Sequence, residues 1–252
     1  MRNLTKSLLF AGVLTVPALV VSTPIFAADA PAASPITANV TLASEYVYRG
    51  ISQTRGKLAV QGGFDYAHSS GLYIGTWGSN ISWITDGTPA ATSNLELDVY
   101  GGYKGSVGSD IGYDVGVLHY DYPGSYPAGF VNANTDEVYV AGSYKMFTLK
   151  YSNSVTNLFG YSDSKGSDYL DASANFEVMS GLTLGLHAGH QRIKNSSPYS
   201  YTDYKVSLSK DLGGGLSVSG AYMDTNANND LYTVKGTKIA DGRFVLSLSK
   251  AF

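Results

Sequence analysis

The 252-residue chain sets 20 acidic against 17 basic residues, for a formal charge of −3, and contains no cysteine. That balance, with no Lys/Arg cluster anywhere, leaves no electrostatic footprint for nucleic acid, and the missing cysteines exclude disulfides, thiolate nucleophiles and Cys-based zinc sites. The four histidines show no HxxxH or HExxH spacing, so neither a metal nor another cofactor is expected.

The N-terminus comes first in chain order. Arg2 and Lys6 form a short basic region, "SLLFAGVLTVPALVV" follows as an apolar core of about 15 residues, and small residues lie behind it, the pattern of a secretory signal peptide over residues 1–27. Two cuts fit, after "IFA" or after "ADA". The second puts Pro31 directly behind the scissile bond, so cleavage after Ala27 rather than Ala30 is expected. A Pro/Ala-rich arm over 28–37 then leads into one domain spanning 38–252. No later segment offers 18 consecutive apolar residues, so an exported chain of this kind is periplasmic, secreted or an outer-membrane barrel.

Period-two alternation marks the rest. In "NVTLASEYVY", Val40, Leu42, Tyr46 and Tyr48 share one face while Thr41, Ala43 and Glu45 share the other; in "AVQGGFDY", Val60, Phe64 and Tyr66 oppose Gln61 and Asp65. The pattern repeats in "LYIGTWGSNISW", "NLELDVYGGYK", "IGYDVGVLHY", "DEVYVAGSYK", "TLKYSNSVTN", "YLDASANFEV", "LTLGLHAGHQ", "YTDYKVSLSK", "LSVSGAYMD" and the terminal "RFVLSLSKAF". These make about twelve segments of about 8–12 residues, the length of a tilted membrane strand, with no helical stretch among them. The joins alternate strictly between short Gly/Ser turns such as "GSVGSD" and "DLGGG" and long connections such as "RGISQTRGK" and "DYPGSYPAGFVNANT". The fold class expected is therefore all-β: a transmembrane antiparallel up-and-down β-barrel with short periplasmic turns, long external loops and both termini periplasmic.

Aromatic residues sort by rim. Tyr66, Tyr73, Tyr103, Tyr113, Tyr144 and Phe252 gather at the short-turn rim, and Tyr46, Tyr48, Trp83, Tyr204, Tyr222 and Phe244 at the long-loop rim, as two girdles around an apolar band. An apolar alternating strand closing on Phe252 is the kind of terminal signal that outer-membrane assembly machinery reads; Lys250 stands where another apolar residue is usual.

The stretch "NVTLASEYVYRGISQTRGKLAVQGGFDYAHSSGLYIGTWGSNISW", continued by "ELDVYGGYKG", "GYDVGVLHYDYPG", "YLDASANFEV" and "YTDYKVSLSKDLGGGLSVSGAY", resembles the TorF family of porin-like proteins from about Asn39 to Phe252, most specifically in "YRGISQT". The resemblance implies an outer-membrane β-barrel with a pore, and it brings neither a substrate nor a catalytic set. Glu45 stands where the family is expected to carry an Asp, and Arg55 where an acidic residue is common.

Parity assigns the inward charges. Glu45, Glu96, Asp98, Glu137, Asp171 and Asp203 fall in the outer or middle lumen with Arg49, Lys205 and Arg243, while Asp65, Glu177, Lys104, Lys145 and Lys150 fall nearer the periplasmic end. In the porin-like channel for passive diffusion of small solutes or ions that the resemblance implies, six carboxylates against three cations in the outer half predict a weak preference for cations. "DYPGSYPAGFVNANT" is the expected inward constriction. A receptor or adhesion barrel is the alternative, on the strength of the loop aromatics Tyr126, Phe130, Phe159 and Tyr161. A lipid hydrolase ranks below both, because His68, His119, His187 and His190 are its only bases of that type and no GxSxG elbow frames a serine, so no catalytic residue is assigned.

Overall fold

A computed structural model describes residues 34–252; the expected signal peptide and most of the arm behind it lie outside them. Twelve antiparallel strands close into one barrel. In chain order they are β1 Ile36–Ala43, β2 Ala59–Ala67, β3 Leu72–Asn80, β4 Leu95–Val107, β5 Ile111–Asp121 and β6 Thr135–Tyr144. The circuit continues with β7 Phe147–Ser154, β8 Asp168–Met179, β9 Leu182–Arg192, β10 Tyr201–Gly213, β11 Leu216–Thr225 and β12 Arg243–Ala251. Each strand pairs with its chain neighbour, and β1 closes the ring on β12 with Thr41 opposite Ser249 and Leu42 opposite Leu248. Closure leaves no sheet edge unpaired, which a barrel in hydrocarbon requires.

Alternation maps onto the wall as expected. Val99, Val117, Val140, Leu149, Leu170, Leu186, Val206 and Leu246 point outward and are exposed, a distribution that suits lipid rather than water. Polar side chains of opposite parity, including Glu96, Asp98, Asp114, Glu137, Ser207 and Ser209, are buried inside. The short connections at 68–71, 108–110, 145–146, 180–181 and 214–215 share the end where both termini lie, and the long ones share the other.

Three features depart from the sequence reading. A short helix, α1 (Trp83–Gly87), and a 3-10 turn (Ser197–Tyr199) interrupt the long connections. Tyr66, Tyr103, Tyr113, Tyr144, Tyr204, Tyr222, Phe244 and Phe252 do face outward, but Tyr46, Tyr73 and Trp83 do not join the girdles. Tyr73 is inward because its parity matches Trp77 and Ser79, and Gly102 on β4 leaves the space its hydroxyl end fills; a Cβ there would meet it. Thirdly, β1 stops at Ala43, so Tyr46 and Tyr48 are not rim residues of that strand.

Candidate functional site

The segment 44–58 departs from the wall at Ser44, whose amide still bonds Leu246 O on β12 at 2.8 Å, and turns into the lumen. There Val47–Tyr48 pairs with Ile51–Ser52 as a short hairpin. Arg49 and Gly50 form its tip with φ of 45° and 77°. Left-handed backbone at both central positions is what a tight two-residue hairpin turn demands, and for a non-glycine residue such as Arg49 it carries a steric cost. Gly50 is needed twice over, since a Cβ there would also come within 2.7 Å of Asp203 Cβ. The tip is thus pressed against β10 and β11.

Arg49 fastens that tip. Its Nη2 donates to Glu137 Oε2 on β6 at 2.8 Å and its Nη1 to Gln191 Oε1 on β9 at 2.7 Å. The guanidinium also lies 4.2 Å from the ring centroid of Tyr169 on β8 and 4.8 Å from that of Tyr48. At the hairpin base, Glu45 Oε1 accepts from Gly56 N at 2.8 Å, from Arg243 Nη1 at 2.7 Å and from the Ser52 hydroxyl. Between them, Tyr46 donates to Glu96 Oε1 at 2.6 Å and packs edge-on against Trp77, while the Tyr48 and Tyr120 hydroxyls meet at 2.6 Å. The segment expected to constrict the lumen, 122–134, contributes the buried Tyr122 against Trp83 and Phe159, but the chain that crosses the lumen is 44–58.

A second cluster sits on β8–β10. His187 Nδ1 lies 3.2 Å from Asp171 Oδ2, and its Nε2 lies 2.8 Å from Asp203 Oδ1, with the Tyr169 hydroxyl donating to Asp203 Oδ2 at 2.9 Å. The Tyr169 hydroxyl also lies 3.1 Å from His187 Nε2. Lys205 stands opposite His187 in the strand register.

Most of the nine charges assigned inward by parity are matched by one another or by His187. Arg243 takes Glu45, Arg49 takes Glu137, and His187, which a count of lysines and arginines omits, lies between Asp171 and Asp203. Lys150 is not near the short-turn end: it sits opposite Asp171 in the β7–β8 register, with its ammonium 4.1 Å from the Tyr139 ring centroid. Asp98 differs from the rest. It has no exposed surface, and neither carboxylate oxygen has a hydrogen-bond partner among the described residues.

Beyond the barrel the long connections are clasped. Asp86 of α1 accepts from Arg55 Nε and Lys235 Nζ, both at 2.9 Å, tying segments 44–58, 81–94 and 226–242 together. Burial pushes its carboxyl pKa up, but hydrogen bonds from Lys235, Ser82 and Arg55 outweigh that and hold it below the ordinary value.

A family model for a bacterial protein of unknown function, Gcw_chp, matches residues 27–252. The chain belongs to that family. Membership brings no function with it, and the narrower TorF resemblance is taken up below. No curated protein matches the chain in sequence. Among solved structures, the KdgM porin superposes with a TM-score of 0.56 at 9% identity, covering 86% of this chain and 99% of its own. The NanC porin gives 0.55 at 11%, covering 85% and 98%. A structure of KdgM in complex with disordered oligogalacturonate gives 0.54 at 9%, covering 86% and 98%. At such identities the likeness is one of fold, that of a small outer-membrane porin barrel.

Proposed function

We propose that the chain is an outer-membrane, porin-like channel for passive diffusion of small solutes or ions, as its TorF resemblance implies, with a weak preference for cations. One observation carries the reading: a closed twelve-strand barrel whose outward face is an apolar band and whose interior is lined by charge. An apolar exterior of this extent suits lipid, and charge lining a lumen selects ions by sign where ions enter it. In this reading residues 1–27 export the chain, the long loops face outward, and Phe252 at the end of the last strand serves assembly. The cation preference rests on the count of six inward carboxylates, Glu45, Glu96, Asp98, Glu137, Asp171 and Asp203, against Arg49, Lys205 and Arg243 in the outer half.

The hairpin across the lumen gives specific support to a second reading, a barrel that does not conduct and presents its loops to a ligand or another cell. Efflux from proteoliposomes loaded with small neutral and charged solutes separates the two. Channel activity predicts release that falls steeply with solute size, and faster release of a small cation than of an anion of equal size. Retention of every solute by correctly folded protein overturns it. Because the KdgM structure holds oligogalacturonate, short saccharides belong in the panel.

A further inference from the structure

At the long-loop end of β7–β9 lies a cleft of about 560 Å³ lined by residues that the pore does not use, among them Asn153, Val155, Asp163, Lys165, Lys194 and Asn195. Its walls are braced across the two loops that form it: Asn195 Nδ2 donates to Asp163 O at 2.9 Å, Lys194 N to Ser167 Oγ at 3.0 Å, and Arg192 Nη2 to Gly166 O at 3.0 Å. The shape is therefore built into the fold. Arg192 is engaged by Asp168, but Lys165 and Lys194 are exposed and enter no ion pair among the described residues.

The position of the cleft names its occupant. Strand parity puts Asn153, Asp168 and Arg192 on the outward face in one row, and the row beneath them in the register is Tyr151, Leu170 and His190. Tyr151 and Leu170 are exposed members of the apolar wall, and Val155 continues that wall into the cleft. A ligand seated here meets two ammonium groups, the Asp163 side chain and several amides at one end, a net positive set, and hydrocarbon-facing surface at the other. Elsewhere on the same rim His119 and Asp136 meet each other at 2.7 Å. A soluble anion uses the lysines and leaves the apolar wall idle; an anionic lipid uses both.

We propose that this cleft binds the phosphorylated sugar headgroup of an anionic glycolipid of the surrounding leaflet, with Lys165 and Lys194 on phosphate, the asparagines on sugar hydroxyls and the acyl chains against Tyr151 and Leu170. The proposal rests on the membrane placement argued above and is indifferent to whether the lumen conducts. The test uses the full mature chain in a neutral detergent, titrated with diphosphorylated lipid A and followed by native mass spectrometry. Its variants are the pair Lys165→Ala with Lys194→Ala and, as control, Lys210→Ala, an exposed lysine at the opposite rim. Both substitutions of the pair fall in exposed loops, and heat-modifiable gel mobility reports that the barrel has folded.

The expected result is a wild-type adduct of one lipid, weakened about tenfold or more in the double variant and unchanged in Lys210→Ala, with inorganic phosphate displacing the lipid only in large excess. The proposal is overturned if the wild type takes up no lipid, if the double variant binds as the wild type does, or if equimolar inorganic phosphate displaces the lipid, which marks a soluble-anion site. Fractionation of cells reports separately on membrane placement: protein found away from the outer membrane contradicts that reading, whatever the titration gives.

Discussion

Replacing Arg49 with alanine should release the hairpin while leaving the barrel intact. The side chain is 6% exposed and its partner Glu137 is 2% exposed, so the pair is desolvated rather than a screened surface bridge. Removing one member of such a pair typically costs about 3–5 kcal/mol, because the other charge stays buried without a partner. Loss of the bond to Gln191 and of the stack on Tyr169 adds to this. The left-handed backbone strain at position 49 remains in the variant, so nothing offsets the loss. Taking about 3 kcal/mol as the change in the equilibrium between the inserted and released hairpin, the released population rises about 10²-fold.

Hydrogen exchange reads that change directly. The amide of Ser52 is bonded to Ile239 O at 2.8 Å, outside the hairpin, and is freed when the hairpin leaves. In Arg49→Ala it should exchange about 10²-fold faster, while strand amides over 169–177 keep the wild-type rate. Arg49→Lys should fall between, since an ammonium keeps the charge but not the fork that reaches Glu137 and Gln191 together. Unchanged exchange at Ser52 in a folded Arg49→Ala barrel would refute the latch.

Three further outcomes follow from other parts of the molecule. Asp98→Asn replaces a carboxyl that has neither exposed surface nor a hydrogen-bond partner, so it should raise thermal stability, and a lower unfolding midpoint would count against this; the cation preference of the wild type, seen as a reversal potential under a KCl gradient, should fade as the Debye length shrinks from about 30 Å at 0.01 M to about 3 Å at 1 M. Leu186→Arg, mid-strand on the outward face, should cost about 2–4 kcal/mol in refolding into lipid vesicles, and inward Thr183→Arg less; equal costs would mean the facing is wrong. Asp86, with its pKa held below the usual 3.8, contributes loop stability that is fully present above that value and is lost as pH falls through the lower folded value. Asp86→Asn should therefore speed proteolysis of 226–242 at neutral pH, with the difference from wild type closing in strong acid; a difference that persists there would contradict the clasp.

Much of this architecture is legible in the amino-acid sequence because a barrel strand encodes itself locally. Alternation places Glu96, Asp98, Glu137, Asp171 and Asp203 on the inward parity without knowledge of any partner, and the alternation of short and long joins gives the topology. The reading fails where local pattern and three-dimensional path part company. Tyr46 and Tyr48 keep the parity of Val40 and Leu42, so nothing in the alternation reports that the strand ends at Ala43. The signal that was available is the Arg49–Gly50 pair, a glycine at the second position of a tight turn flanked by "VY" and "IS". Counting charges fails for a related reason: Arg49 and Glu137 are 88 positions apart, and only the folded barrel shows that they neutralise one another. Tyr73 was misassigned to the girdle because aromatic residues are common at membrane interfaces, although the glycine that makes room for it inside, Gly102, lies one strand away.

Unitary conductance in planar bilayers, compared between the wild type and Arg49→Ala, tests the central claim most directly. A channel crossed by a latched hairpin predicts small or infrequent discrete steps in the wild type, and steps that are larger or far more frequent in the variant. Folded, inserted protein that shows no steps in either form would contradict the channel.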